Sequence, residues 1–476
     1  MSRRRMQCGA ARMGIGMLLL SGCSGGLAGN SFGTDAGGAR PDAGSTVDAA
    51  VDEEASTEAG SGEDSAAPPA PQAPDAGPPS PPPAVCSAPQ SSASAAQSLA
   101  SDDTAFAVAL YGPAAAVVGA GQNVVISPYS VSATMTMIDV GAAGETDTQM
   151  QAVLNLPGNA ATVAPAYATL ACEDETDGSS EGNQLSLANS VWCQQGTAFE
   201  PTFLSVLSTG YDAPVQQVDF AGDSAGATTA INQWVSQETQ DQIPMLLQPG
   251  DVDMTTRIVL VNAVYFKGAW ESGFNPSLTS LQPFTLSDGT KASVPTMDGD
   301  VVLTRGTLTA NALSVYELPY KGQSLAMDFL VPEGALSTLE SSLTPALLNA
   351  ALASLGGPYS VELKLPRFSF NDRLNLNAVL SGLGMPDLFE VHVADLSGID
   401  GAMDLYVSFV VQQALVEVDE QGTVAAAATG GGGAEGAVIV SPPLVVIDKP
   451  FMFLIRDVKN GSILFMGRVE DPRQGS

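Results

Sequence analysis

Basic side chains are scarce in this sequence. Over 476 residues there are 18 Lys and Arg against 51 Asp and Glu, a net charge of −33, and no basic run follows the first dozen residues. Contacts to phosphate supply much of the affinity of nucleic-acid binding, so no DNA or RNA partner is expected, and nothing attracts the anionic face of a membrane. Histidine occurs once, as His392 in "EVHVADLSG". No Gly-x-Ser-x-Gly turn or nearby cysteine accompanies it, so the pieces of a triad hydrolase are missing and His392 reads as a surface or loop residue. The five cysteines, Cys8, Cys23, Cys86, Cys172 and Cys193, include no C-x-x-C pair, and a single imidazole completes no zinc or haem ligand set. No metal, no cofactor and no enzymatic activity are expected.

What is present starts with an address. "MSRRRMQCGAARMGIGMLLLSGCSGG" runs from three arginines through the apolar stretch 14–20 to small residues, the layout of an export signal. That stretch is far below the ~20 residues that cross a bilayer. "LSGC", ending at Cys23, resembles the lipobox of bacterial lipoproteins, which implies a signal peptide at 1–22 and an acylated Cys23 as the mature N-terminus. Several acyl chains would anchor the protein durably, and Ser24 after the cysteine favours the outer membrane or the cell surface. Residues 23–91 are rich in Pro, Ala, Asp, Gly and Ser with one aromatic, Phe32, too little apolar surface to offset the entropy of ordering. They are expected to form a disordered tether, stiffened by "PPAPQAPDAGPPSPPPA". The largest share of acidic residues in any one region lies in the tether, where paired carboxylates have no fixed geometry.

Residues 92–476 carry the periodicity of one large domain. A helix is expected from about Ser92 through "SDDTAFAVALYGPAAAVVG", then a short strand, a helix entered at Ser-Pro and ended by Gly141, and a third helix opened by Thr146. Later segments, among them "LSLANSVWCQQ", "TTRIVLVNAVYFKGAW", "YSVELKLPRFSF" and "LYVSFVVQQALVEVDEQG", are β-branched and apolar as strands are. Helical stretches intervene at "GATTAINQWVSQETQDQI", "LSTLESSLTPALLNAALASL" and "LNLNAVLSGLGM". Early helices and late strands suit an α+β domain with large mixed or antiparallel sheets. Cys172 and Cys193 flank a loop and can pair in an oxidising compartment, with Cys86 alone or paired elsewhere; spacing does not set the connectivity.

The same segments resemble a serpin along the whole domain. Asn123, Ser127, Pro128, Ser130, Gly141 and Thr146 match the family's first strand and following helix. Asn262, Phe266, Lys267, Gly268, Trp270 and Phe274 match its central-strand signature, and Pro366, Phe368, Gly384, Phe389, Asp395, Leu396, Ser397, Pro450, Phe451, Phe465, Gly467 and Pro472 follow in order. The resemblance implies three β-sheets with surrounding helices, an exposed reactive-centre loop and a metastable native state. It also implies a suicide-substrate inhibitor of serine proteases. Cleavage lets the loop enter the main sheet as a new strand and carries the acylated protease across the molecule.

In such a protein "EVDEQGT" ends a sheet strand and the loop follows it. The hinge falls on Glu420, Gly422 and Thr423, and Thr423, Ala425, Ala427, Thr429 and Gly431 share one parity, all small, as entry between two strands requires. Val424 replaces the family's usual Glu on the other parity. A strand of about 14 residues at ~3.3 Å each carries the cut end more than 40 Å. Counting from the hinge puts the scissile bond at Gly436, and counting back from "PP" and "DKPF" puts it at Ile439, within 436–440 (Gly436, Ala437, Val438, Ile439 and Val440). Val438 or Ile439 is favoured, because an S1 pocket gains from an aliphatic group what glycine lacks, which points to an elastase-like or subtilisin-like target, with cysteine proteases as a second class. The family's buried shutter cluster maps to Ser127, Ser130, Asn262 and Gln412, the last at the usual histidine position; glutamine both donates and accepts but does not titrate. A monomer is expected. The alternative is a non-inhibitory serpin-fold surface binding protein, which Pro or a large charge on the inward parity would have favoured.

Overall fold

A serine caps the start of the first helix. In the computed structural model, which describes residues 91–211, 213, 215–420 and 441–474, the Ser92 hydroxyl accepts from the Ala95 N–H and opens α1 (Ala93–Val118). The described residues lie within one compact unit, Ala76–Ser476. After β1 (Val124–Ile126), Pro128 sits at the first helical position of α2 (Pro128–Asp139), where its missing N–H costs nothing. The third helix, α3 (Gly144–Leu154), starts two residues before the expected Thr146. Thr146 is instead buried, its hydroxyl accepting from the Asp395 N–H. Then come α4 (Ala160–Gly178), β2 (Gln184–Gln194), α5 (Pro201–Gly210), β3 (Val215–Val218), α6 (Ser224–Glu238) and β4 (Ile258–Lys267).

The second half holds β5 (Ser280–Thr285), β6 (Lys291–Leu308), β7 (Leu313–Pro319), β8 (Leu325–Pro332), α7 (Leu336–Ser342) and α8 (Pro345–Ala353). Pro345 divides the expected single helix in two. Next are β9 (Gly356–Pro366), β10 (Phe368–Asn375), α9 (Asn377–Leu383), α10 (Ser397–Asp400), β11 (Val407–Val418), β12 (Leu444–Val446), β13 (Phe451–Asp457) and β14 (Ile463–Val469). "YSVELKLPRFSF" is therefore two strands rather than one. It changes sheets at Pro366, whose ring supplies no N–H to continue the ladder.

The strands form one sheet of nine, ordered β1-β14-β13-β8-β7-β6-β9-β12 with β5 also on β6, and one of five, ordered β10-β11-β4-β2-β3. Three sheets were expected from the resemblance. Two of them are joined here, because β6 is long enough to pair with β5 at its start, with β9 along its middle and with β7 at its end. The main core packs the two sheets against each other and against α1 and α2. At Gly467 of β14 a Cβ would lie 2.4 Å from the Val124 carbonyl oxygen and 2.7 Å from the Phe453 ring, so only glycine lets β1 pair there. His392 is exposed in a turn with φ +63°. Cys193 is buried and free while Cys172 is disulfide-bonded, so the bridge considered between them is not formed and the partner of Cys172 lies outside the described residues.

Several carboxyls are buried with little to neutralise them. Burial pushes Asp103 up to about 7; its Oδ1 accepts from Ser132 and Tyr167. Asp139 is pushed up to about 7 by burial and by facing Asp147, and Asp457 to about 6, mainly by burial. A carboxyl whose folded pKa is raised holds its proton longer in the native than in the unfolded chain. The stability it contributes is complete below about pH 4 and is lost as pH rises through 6 to 7. The domain is thus expected to melt higher at pH 5 than at pH 8, by on the order of 10 °C. Calorimetry at the two pH values checks this, and an Asp103→Asn, Asp139→Asn variant should lose most of the difference.

Candidate functional site

The five-stranded sheet has a seam. Its two middle strands, β4 and β11, run parallel and pair directly, from Phe409 opposite Val259 to Val416 opposite Phe266, while β10 and β2 flank them antiparallel. Parallel pairing is slightly weaker per residue, and a strand laid between them in the reverse direction would make an antiparallel ladder on each side. The chain leaves β11 at Val418, so it emerges at one end of this seam with the direction that a reversal needs.

Both faces of the seam are covered, which is why β4 reads as a continuous apolar run. Leu260, Val264 and Phe266 enter the main core. Val259, Val261, Phe409 and Val411 enter a second one beneath α6, where Trp192 of β2 meets Trp234 edge-on at 5.9 Å. The segment after α6 is tied down as a strap. The Asn232 Oδ1 accepts from the N–H groups of Leu246 and Leu247 at 2.9 and 2.8 Å, and Arg373 of β10 donates to the Leu246 carbonyl and pairs with Asp251.

Polar groups line the middle of the seam. Asn262 and Gln412 are register partners across it, and the Gln412 Nε2 donates to the Asn262 Oδ1 at 2.6 Å and to the Ser127 carbonyl at 3.0 Å. The Gln412 Oε1 accepts from the Ser127 N–H at 3.1 Å, so the glutamine closes a reciprocal pair on the N-terminus of α2. The Asn262 Nδ2 donates to Ser130 Oγ at 2.6 Å and to Asn189 Oδ1 at 2.7 Å. The four residues expected to cluster are thus joined by hydrogen bonds and at most 1% exposed. Asn189 of β2 extends the chain of bonds to a third strand. Sequence reading missed it, though an asparagine amid the apolar "LSLANSVW" was the available signal.

At the mouth of the seam the end of β11 is anchored. Lys267 of β4 pairs with Glu417 of β11 at 3.1 Å. The Trp270 indole donates to the Asp419 carbonyl at 3.0 Å, its ring stacked 4.4 Å from Tyr320. Glu420 is 5% exposed: its Oε1 accepts from Thr279 at 2.6 Å, its Oε2 lies 3.5 Å from Arg367, and its carbonyl accepts from the Phe274 N–H. The remaining residues assigned to hinge and cut, Gly422, Thr423, Ala425, Ala427, Thr429 and 436–440, lie outside the described residues, as does Cys23. The chain re-enters at Ser441, and the Pro443 carbonyl accepts from Glu362 of β9. Among the described residues no cluster of His, Cys, Asp and Glu could hold a metal ion.

Comparison with known proteins places this geometry. The family profile described as "Serpin (serine protease inhibitor)" matches residues 101–472. The leukocyte elastase inhibitor of Homo sapiens is 36% identical over 383 residues, covering 79% of this chain and 100% of that one. Iris of Ixodes ricinus is 35% identical over 354 residues, 73% of this chain and 92% of that protein. Among solved structures, native protease nexin-1 with heparin superposes with a TM-score of 0.69 at 30% identity, covering 79% of this chain and 100% of the other. Maspin, at 24% identity and a TM-score of 0.73 over 80% of this chain and 100% of the other, shares the fold.

Proposed function

The chain belongs to the serpin family of serine protease inhibitors, and from that premise we propose that it traps elastase-like or subtilisin-like proteases by inserting its cut loop into the β4–β11 seam. The observation that carries this reading is the seam itself: two parallel strands paired directly, with Glu420 anchored at its mouth and a run of small residues following in the sequence. Relatives named leukocyte elastase inhibitor support the same target class. Aliphatic Val438 or Ile439 fits that class as the residue before the cut.

The hydrogen-bonded group at Ser127, Ser130, Asn262 and Gln412 would then be the shutter that must part during insertion. Parting it separates Gln412 from Asn262, and the incoming backbone offers each a replacement partner. The protein would act stoichiometrically, as a monomer and not as an enzyme. The lipobox-like "LSGC" supports an exported protein held at a bacterial envelope through Cys23, with residues 23–91 giving the domain reach.

Incubation of the domain from Ser92 with elastase or subtilisin tests the function on a denaturing gel. A band at the summed mass is expected, and mass spectrometry of the released C-terminal peptide should begin at Ile439 or Val440. Simple cleavage that inactivates no protease would leave a fold used only for surface binding.

A further inference from the structure

Beside the strand where the loop rejoins the domain, β6, β9 and β12 present an outward face with an unusual charge arrangement. On β6, Asp298 and Asp300 alternate with buried Met297, Val301 and Leu303. On β9, Glu362 and Lys364 alternate with buried Val361, Leu363 and Leu365. On β12, Val445 points inward, leaving Leu444 and Val446 outward, 55% and 42% exposed. The register sets two rows across this face: Asp300, Glu362, Leu444 and Asp298, Lys364, Val446.

The first row places two carboxylates directly opposite one another, which weakens a strand pair. Lys364 pairs with Asp298 at 2.9 Å and reaches Glu362 at 3.7 Å, so two carboxylates share one ammonium and Asp300 is not one of them. The exposed aliphatics stand on an edge strand, where natural sheets favour charge or proline. Neither choice serves the fold. Together they make a small apolar strip rimmed by negative charge. Leu444 is five residues beyond Ile439 in the sequence, at most about 18 Å of extended chain, so a protease that cuts there is tethered within that reach of this face.

We propose that this face is a docking surface for the target protease, one that accepts basic side chains at the rim of the enzyme's leaving-group side, and that it raises the rate of encounter. It rests on the inhibitor reading and adds a determinant of which protease is met first. Complementary charge acts chiefly on association, so Asp300 and Glu362 should set the on-rate and its salt dependence while leaving trapping untouched.

The test uses a lysine-rich elastase of net positive charge, native and with its lysines acetylated, and follows loop consumption, whether the product is trapped or merely cut. That readout interrogates the face even if no covalent complex forms, and the gel decides the inhibitor reading separately. The isosteric pair Asp300→Asn, Glu362→Gln should slow consumption by native elastase about three- to tenfold at low salt and leave the acetylated enzyme within twofold. The control pair Glu390→Gln, Asp404→Asn removes the same charge from exposed positions outside the loop end of the sheet. Equal slowing by both pairs, or none by the first, would overturn the proposal.

Discussion

Once its loop is cut, the domain should melt on the order of 10 °C or more above the intact protein, the reverse of what a nick in an ordinary exposed loop does. The seam gives the reason. Entry of a strand replaces one parallel β4–β11 ladder with two antiparallel ladders, so each inserted residue finds partners on both sides where one pairing was given up. The new strand also lies between two apolar layers that are already built, the main core and the cluster under α6. The C-terminal piece stays in place after the cut, because β14 is buried throughout the larger sheet and β13 at every residue but Arg456. Scanning calorimetry of intact and cut domain decides the matter. A cut form that melts at or below the intact temperature would mean that the loop does not enter the sheet.

Most of this architecture was legible in the sequence because the signals are local. Pro128 after Ser127, the apolar run 258–267 and the alternation in 451–457 each specify an element through neighbours a few residues away. What escaped depends on distance along the chain. The helix α4 went unread: it contains Pro165 and ends in Glu173, Asp174, Glu175 and Asp177, acidic residues at the end where the helix dipole disfavours them. Only its packing makes sense of that ending, since Asn460 donates to Asp174 and Lys459 pairs with Asp177 from the turn between β13 and β14. The merging of two expected sheets through β6, like the partners of Glu420 at Thr279 and Arg367, is set by folding and not by any short pattern.

The site divides in the same way. Ser127, Ser130, Asn262 and Gln412 were each chosen by position in a motif, yet the reason a glutamine suits the histidine position is geometric. It meets a carbonyl and an N–H of the same residue, Ser127, while its second amide hydrogen satisfies Asn262. Histidine offers two ring nitrogens and could not make all three bonds. The cluster therefore carries no titrating group, and any pH dependence of the domain must come from buried carboxyls such as Asp103 and Asp139.

A single arginine in the loop should abolish inhibition or leave it intact according to whether its place in the inserted strand is packed or open to solvent. Residues 423, 425, 427, 429 and 431 share one face of an extended strand, and between β4 and β11 that face meets a packed interior. Ala427→Arg would drive a guanidinium into it without a partner, a cost of several kcal/mol. Insertion races hydrolysis of the acyl-enzyme, and each ~1.4 kcal/mol added to the insertion barrier shifts that race tenfold. The variant should become a substrate, with at least ten molecules consumed for each protease inactivated. Val424→Arg, three residues back, carries the same charge on the opposite parity at the mouth of the seam, where the outward face opens to solvent at Lys267 and Glu417, and should inhibit within about threefold of the parent. Titration of protease activity against each variant measures both. Equal loss in the two would place the fault in loop recognition, equal retention would show that no strand is inserted, and only the alternation ties inhibition to the seam.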